Sequence, residues 1–221
     1  MDGFFQNVSW PDIGQATIDT LVMLGGSLAL SIALGIPLGI LLFLTDRGQI
    51  GQNVVLNRTL GVIVNVLRSI PFVILLIVMI PLTLRLMGTS LGVAGAIPPL
   101  VGGAAPFYAR LVQGALRDIP RATIEAAQAM GATRLQIIRH VLLPEALPGL
   151  ISGATVTAIA LVSFTAMAGV VGGGGLGDLA IRFGYQRFQA DVMLVTVVLL
   201  VLLVQCIQWS GDWFARRVDH R

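Results

Sequence analysis

From Thr20 to Thr45 no residue carries a charge, and within that stretch Leu21 to Leu44 is a predominantly apolar run of 24 residues. About 20 such residues suffice to cross the hydrocarbon core of a bilayer as a helix. Inside lipid each backbone N–H and C=O must be bonded within its own segment, so helix is the default there and Pro37 is tolerated. Similar runs recur at about 61–84, 91–112, 150–171 and 192–208. Only 11% of the 221 residues are charged, against about 25% in soluble domains. The expected fold class is therefore an all-α integral membrane protein with five transmembrane helices. It divides into a tail at 1–16, a transmembrane domain at 17–209 and a second tail at 210–221. Pro98, Pro99 and Pro106 predict distortion of the third span. The first run is not expected to be a cleaved leader, because Asp2 and Asp12 precede it where a leader carries positive charge.

Five crossings put the termini on opposite faces, and arginine bias in the short flanks decides which terminus is inside. With the N-terminus outside, ten arginines fall on the inner face: Arg47, Arg58, Arg110, Arg117, Arg121, Arg134, Arg139, Arg216, Arg217 and Arg221. Only Arg85, Arg182 and Arg187 fall outside, and the first tail holds Asp2, Asp12 and Asp19. The expected orientation is N-out, C-in. The net charge of +3 is thus an orientation device, and no nucleic-acid partner is expected.

All 14 basic residues are arginines, so the lysine of a phosphate-cradling G-x-x-x-x-G-K-[ST] loop is missing and this chain is not expected to be an ATPase. The acids Asp46, Asp118, Glu125, Glu145, Asp178, Asp191, Asp212 and Asp219 lie outside the spans, and His140 and His220 lie in inner segments. Ion-driven carriers usually need such groups at membrane depth. An intramembrane protease is disfavoured too, since no histidine or aspartate pair lies at membrane depth to partner Ser69 or Ser163. The GGGGLG string at 172–177 fits G-x-G-x-x-G formally but follows a membrane helix, so it reads as a flexible outer turn. Cys206 reads as a packing residue. Neither a metal nor a cofactor is expected on this chain.

Arg68 is the one charge within a span, about 10 Å from its inner end at about 1.5 Å per residue. It either snorkels to the headgroups or faces a polar pathway. Met167, in SFTAMAG, either fills a core gap or plugs a narrow opening. Arg68, Ser69, Ser163 and Met167 are the candidates for a translocation pathway or gate.

The longest polar segment runs from Arg110 to Gly149. Pro120 opens a helix over RATIEAAQAM, Gly131 breaks it, Thr133 caps a second helix over RLQIIRHVLL, and Pro144 should end that one. Ile124, Ala127 and Met130 give the first helix an apolar face that either docks into a partner's groove or lies on the membrane surface.

Glu125, Ala126 and Ala127, then Gly131, then Val141, Leu143 and Pro144 resemble the EAA loop of binding-protein-dependent ABC importer permeases, with Val141 where isoleucine is usual. RSIPFVILL, GAAPFYARLV and VLLPEALPGL are similar to the methionine-uptake permeases of that family. The resemblance implies a homodimer, so a second copy of this chain, with two ATP-binding cassette subunits that hold ATP and Mg. It also implies an extracytoplasmic binding protein that delivers methionine, and residence in the lipid of a bacterial inner membrane. Glu125, Ala126, Ala127, Gln128, Met130 and Gly131 would then form the coupling helix, and Leu143 and Pro144 would redirect the chain into the bilayer. A permease for another small amino acid or a short peptide, or a non-conducting scaffold subunit, remains open as an alternative.

Overall fold

A computed structural model describes residues 6–218; Asp2, Asp219, His220 and Arg221 lie outside the described residues. The described residues form helices joined by short turns, with no strand among them, and α1 (Trp10–Leu44) begins well before the expected start at 21. Pro11 sits in its first turn with Asp12, and Ile13, Ala16 and Thr20 already point inward, so helical packing starts before full apolarity does. Along α1 the small residues Ser27, Ser31, Gly35 and Gly39 recur every fourth position and are all buried. A Cβ on Gly39 would lie 2.6 Å from the Val112 side chain, and one on Gly35 2.7 Å from Tyr108. That stripe lets α1 lie directly against α5 (Gly92–Arg117), its main neighbour.

The second expected span is not one helix. It is α2 (Val54–Ser69), α3 (Phe72–Val78) and α4 (Ile80–Met87), with a bend of 106° between α2 and α3. Pro71 supplies no N–H, and the residue before it, Ile70, is extended at ψ 124°, as a pre-proline residue prefers. By contrast, α5 remains a single helix with Pro98, Pro99 and Pro106 inside it.

After the loop helices α6 (Arg121–Ala129) and α7 (Arg134–Ile137), Pro144 does not end the helix as expected. A π-helical turn at Ile138–Leu142 leads straight into α8 (Leu143–Val170), so residues 134–170 form one rod. The wider turn ahead of Pro144 gives its ring room that an α-turn would deny. Beyond it, the glycine string is no flexible turn. Gly172, Gly174 and Gly175 have positive φ, and the chain folds at once into α9 (Gly175–Leu179) and a π-helical turn to Tyr185. The Leu176 N–H donates to Thr20 Oγ1 at 2.9 Å, fixing this turn to α1. Finally α10 (Ala190–Val218) continues through the expected tail at 210–221 as far as it is described. Cys206 on it is exposed, not packed.

Three apolar clusters stack along the bundle. Ile13, Ala16, Leu176, Leu179 and Val195 gather at the end holding the α1 N-terminus. Met23, Phe72, Leu100 and Leu161 occupy the middle, and Phe43, Val112, Leu116, Ile124 and Leu142 the opposite end. Three helices are long and apolar enough to cross a membrane, or four when the bent α2–α3 pair counts as one, against five expected. α5 falls short because its glycines and prolines dilute its apolarity; central in the bundle, it packs on protein more than on lipid.

Candidate coupling helix and pathway

At the end holding the C-termini of α1 and α5, α6 and α7 form the expected helix, turn and helix. Met130 caps α6, the Gly131 N–H donates to the Gln128 carbonyl and the Ala132 N–H to the Ala127 carbonyl, with Gly131 at φ 79°. This is the bond pattern of a Schellman turn, and the positive φ is what glycine supplies. Thr133 opens α7 with a reciprocal cap: its Oγ1 accepts from the Gln136 N–H, and Gln136 Oε1 accepts from the Thr133 N–H at 2.8 Å.

The apolar face of α6 is turned inward. Ile124 and Ala127 are 5% and 3% exposed and belong to the cluster of Phe43, Leu116 and Leu142, while Met130 is 82% exposed. They anchor the helix to its own chain, because burial at this end of the bundle satisfies the apolar face first. What α6 leaves outside is Arg121, Ala122, Thr123, Glu125, Ala126, Gln128 and Ala129. At 100° per residue Ala122, Glu125, Ala126 and Ala129 share one face, flat and nearly uncharged, which lets another surface approach closely. Leu143 packs beside the inner cluster and Pro144 is exposed on the rod.

The loop between α1 and α2 also belongs to this end, which the sequence reading missed. Its Gly48 lies against the Arg121 guanidinium, and Gly48, Gln49, Ile50, Arg121, Glu125 and Gln128 border a hollow of about 170 Å³. Asp46 in that loop pairs with Arg117 at the end of α5. Burial alone would raise the Asp46 pKa, but hydrogen bonds from Arg117 and the Arg47 N–H, with both positive charges, outweigh it and hold it below the usual value. The only signals for this contact were Gly48 and the DRG triplet, which read equally well as an ordinary turn.

The pathway candidates are only partly brought together. Arg68 and Ser69 end α2, and the Ser69 hydroxyl donates to the Asn65 carbonyl at 2.8 Å. Arg68 lies over the Phe107 ring at 5.7 Å and borders a hollow of about 230 Å³ with Phe72 and Phe164. Phe72 and Phe164 stack at 4.5 Å, fastening α3 to α8. Ser163 and Met167 are exposed on α8 on either side of Phe164; neither they nor Ser69 line this hollow. Sequence reading missed Arg110, whose Nη2 donates to the Gly61 carbonyl and Asn65 Oδ1 and whose Nη1 donates to Gln113 Oε1.

The family described as binding-protein-dependent transport system inner membrane component matches residues 35–220. The chain belongs to this family. Among its relatives, a probable D-methionine transport system permease protein of Vibrio cholerae is 53% identical over 206 residues, covering 93% of this chain and 92% of its own. A methionine import system permease protein of Bacillus subtilis is 48% identical over 218 residues, covering 99% and 98%. A solved inward-facing structure of the MetNI methionine ABC transporter superposes with TM-score 0.94 at 50% identity, covering 96% of this chain and all of that one. An amino acid ABC transporter superposes at 0.76 with 16% identity, a likeness of fold alone. The chain is thus an inner membrane transport component.

Proposed function

We propose that this chain is the permease subunit of an ATP-driven importer that moves methionine, D or L, across the bacterial inner membrane by alternating access. The observation that carries the reading is the likeness to methionine permeases along almost the whole chain, with the fold of a methionine transporter at TM-score 0.94. The working assembly is a homodimer with two ATPase subunits, which bind ATP and Mg, and an extracytoplasmic binding protein.

Five crossings with the N-terminus outside remain the proposed topology. α5, with 26 residues, is about 39 Å long at about 1.5 Å per residue, enough to be the fifth. Arg117, Arg121, Arg134 and Arg139 cluster at the end opposite Trp10, in keeping with an inner face there.

In mechanism, the partner ATPase grips the outward face of α6, around Glu125, Ala126, Gln128 and Met130. Ile124 and Ala127 pass that displacement into the cluster at the ends of α1, α5 and α8. The rod 134–170 carries it up the bundle to Ser163 and Met167. Arg68, Ser69, Ser163 and Met167 border the pathway that opens and closes. Such rigid-body motion of packed helices is a standard form of two-state switching.

The test is reconstitution with the cognate ATPase and binding protein in proteoliposomes, measuring uptake across a panel of amino acids. ATP-dependent accumulation of methionine above the others is expected. Accumulation of a different solute, or none in an intact assembly, rejects the reading.

A further inference from the structure

The seam between α2 and α5 holds two cations and no anion. α2 and α5 run antiparallel, so Arg110 reaches Gly61 and Asn65 while Arg68, one turn further along α2, lies over Phe107. Between Asp46 and Asp118 the sequence has no acidic residue, and between Glu145 and Asp178 there is none either. Those two intervals include all of α2, α3, α4 and α5 and nearly all of α8, so every wall of the hollow at Arg68 is free of carboxylates. Arg110 spends its hydrogen bonds on a backbone carbonyl and two side-chain amides, and the carboxylate that acts on it, Asp46, does so only through space from the end of the bundle. Arg68 has a ring contact but no ion pair among the described residues. An unpaired charge at membrane depth is costly and is characteristic of a solute pathway.

The remainder of the hollow is apolar and aromatic. Phe72, Phe107 and Phe164 face it with Ile70 and Leu75, and Gly103 adds no side chain to its lining. Its volume of about 230 Å³ is below the roughly 300–1,000 Å³ of pockets that enclose drug-sized ligands, so it suits a single small molecule. A guanidinium at one edge of an aromatic hollow matches a carboxylate joined to a short apolar tail, and thioether sulfur packs favourably on ring edges.

We infer that this hollow is a transit site within the permease, where Arg68 receives the carboxylate of an apolar amino acid while its side chain rests on Phe72, Phe107 and Phe164. This inference rests on the reading of the chain as a methionine permease. No acid is placed to hold the α-ammonium, so the solute is held at one end only. A pathway site must bind weakly enough to release, and a half-satisfied zwitterion does so. Arg110 acts as a positioning residue that keeps the seam positive.

The test uses the assembled permease–ATPase complex carrying Ile70→Cys in a Cys206→Ser background, so that the one thiol on this chain lies in the hollow. The complex is held in phosphatidylcholine nanodiscs, where no anionic headgroup competes for Arg68. Methionine should slow alkylation of that thiol by a maleimide, and methioninol, which lacks the carboxylate, should not. Adding Arg68→Gln should shift the methionine concentration giving half protection upward by about tenfold or more, as expected for losing a charge-assisted hydrogen bond. Arg68→Lys should recover part of the shift. Equal protection by methioninol, or undiminished protection with Arg68→Gln, overturns the inference even where the native complex accumulates methionine. Failure of the native complex to accumulate methionine refutes the functional reading instead, and the inference with it.

Discussion

Truncating Ile124 to alanine should loosen α6 from the bundle without touching the face that a partner would grip. Ile124 is 5% exposed among Phe43, Leu116 and Leu142, and with Ala127 it is one of the two buried residues of this helix. Removing the side chain beyond Cβ forfeits about 2.4 kcal/mol at about 0.8 kcal/mol per buried methylene. The residual cavity adds to that, within the roughly 2–5 kcal/mol range for such truncations, so about 3 kcal/mol is reasonable. Because α6 spans only nine residues between two turns, the loss should appear as local opening rather than global unfolding. At about 1.4 kcal/mol per decade, amide hydrogen exchange over 121–131 should accelerate by about 100-fold. Mass spectrometry of the purified complex would read this, with peptides from α1 and α5 as unchanged controls. ATP-driven uptake should fall in parallel, since a slack helix cannot transmit displacement. Exchange within a few-fold of the parent, together with normal uptake, would refute the assignment of Ile124 as the anchor and of α6 as the transmitting element.

Gly131→Leu meets no neighbouring atom but forces leucine to φ 79°, a strain of about 1–2 kcal/mol; uptake should uncouple from ATP hydrolysis while membrane insertion, read by immunoblot, stays normal. Thr20→Val leaves the buried Leu176 N–H without its acceptor, so the thermal midpoint in detergent should fall by an amount equivalent to about 1–3 kcal/mol. The folded pKa of Asp46 is lowered, so its contribution is full above about pH 3.9, the usual unfolded value, and is lost as pH falls through the folded value. Asp46→Asn should therefore flatten the acid limb of stability against pH, by no more than about 1 kcal/mol for so exposed a pair. For topology, a cysteine replacing Asn7 in a Cys206→Ser chain should react with an impermeant thiol reagent from outside, and one replacing Gln128 from inside only.

The glycine and threonine signals around α6 and α7 were legible because they are local: a Schellman turn and a reciprocal cap depend on residues within one turn of each other. The orientation of α6 was not. Periodicity at Ile124, Ala127 and Met130 reveals that a face exists, but whether the chain itself or a partner covers it depends on residues such as Phe43 and Leu142, distant in sequence. The bend at Pro71 was hidden for a different reason, since Ile70 and Phe72 keep the window apolar through the break. At the glycine string the error was to equate glycine with freedom. A Cβ on Gly177 would lie 2.3 Å from Ala166, so that glycine permits contact and the turn is held tight.

In lipid, an apolar side chain is equally content against acyl chains or protein, so apolarity alone does not separate the inside of a bundle from its outside. Among the three candidate spans the trend runs opposite to that of a soluble core. The most hydropathic, α10, has 17% of its membrane window buried, α1 has 33%, and the least hydropathic, the rod 134–170, has 44%. Strong apolarity therefore marks the lipid face, and small residues at regular spacing mark the contacts. On that rule, α10 belongs at the periphery. α5 belongs at the centre, because glycine, alanine and proline displace the larger aliphatic residues along it. A hydropathy threshold overlooks α5 for the same reason that α1, α2 and α8 all pack against it.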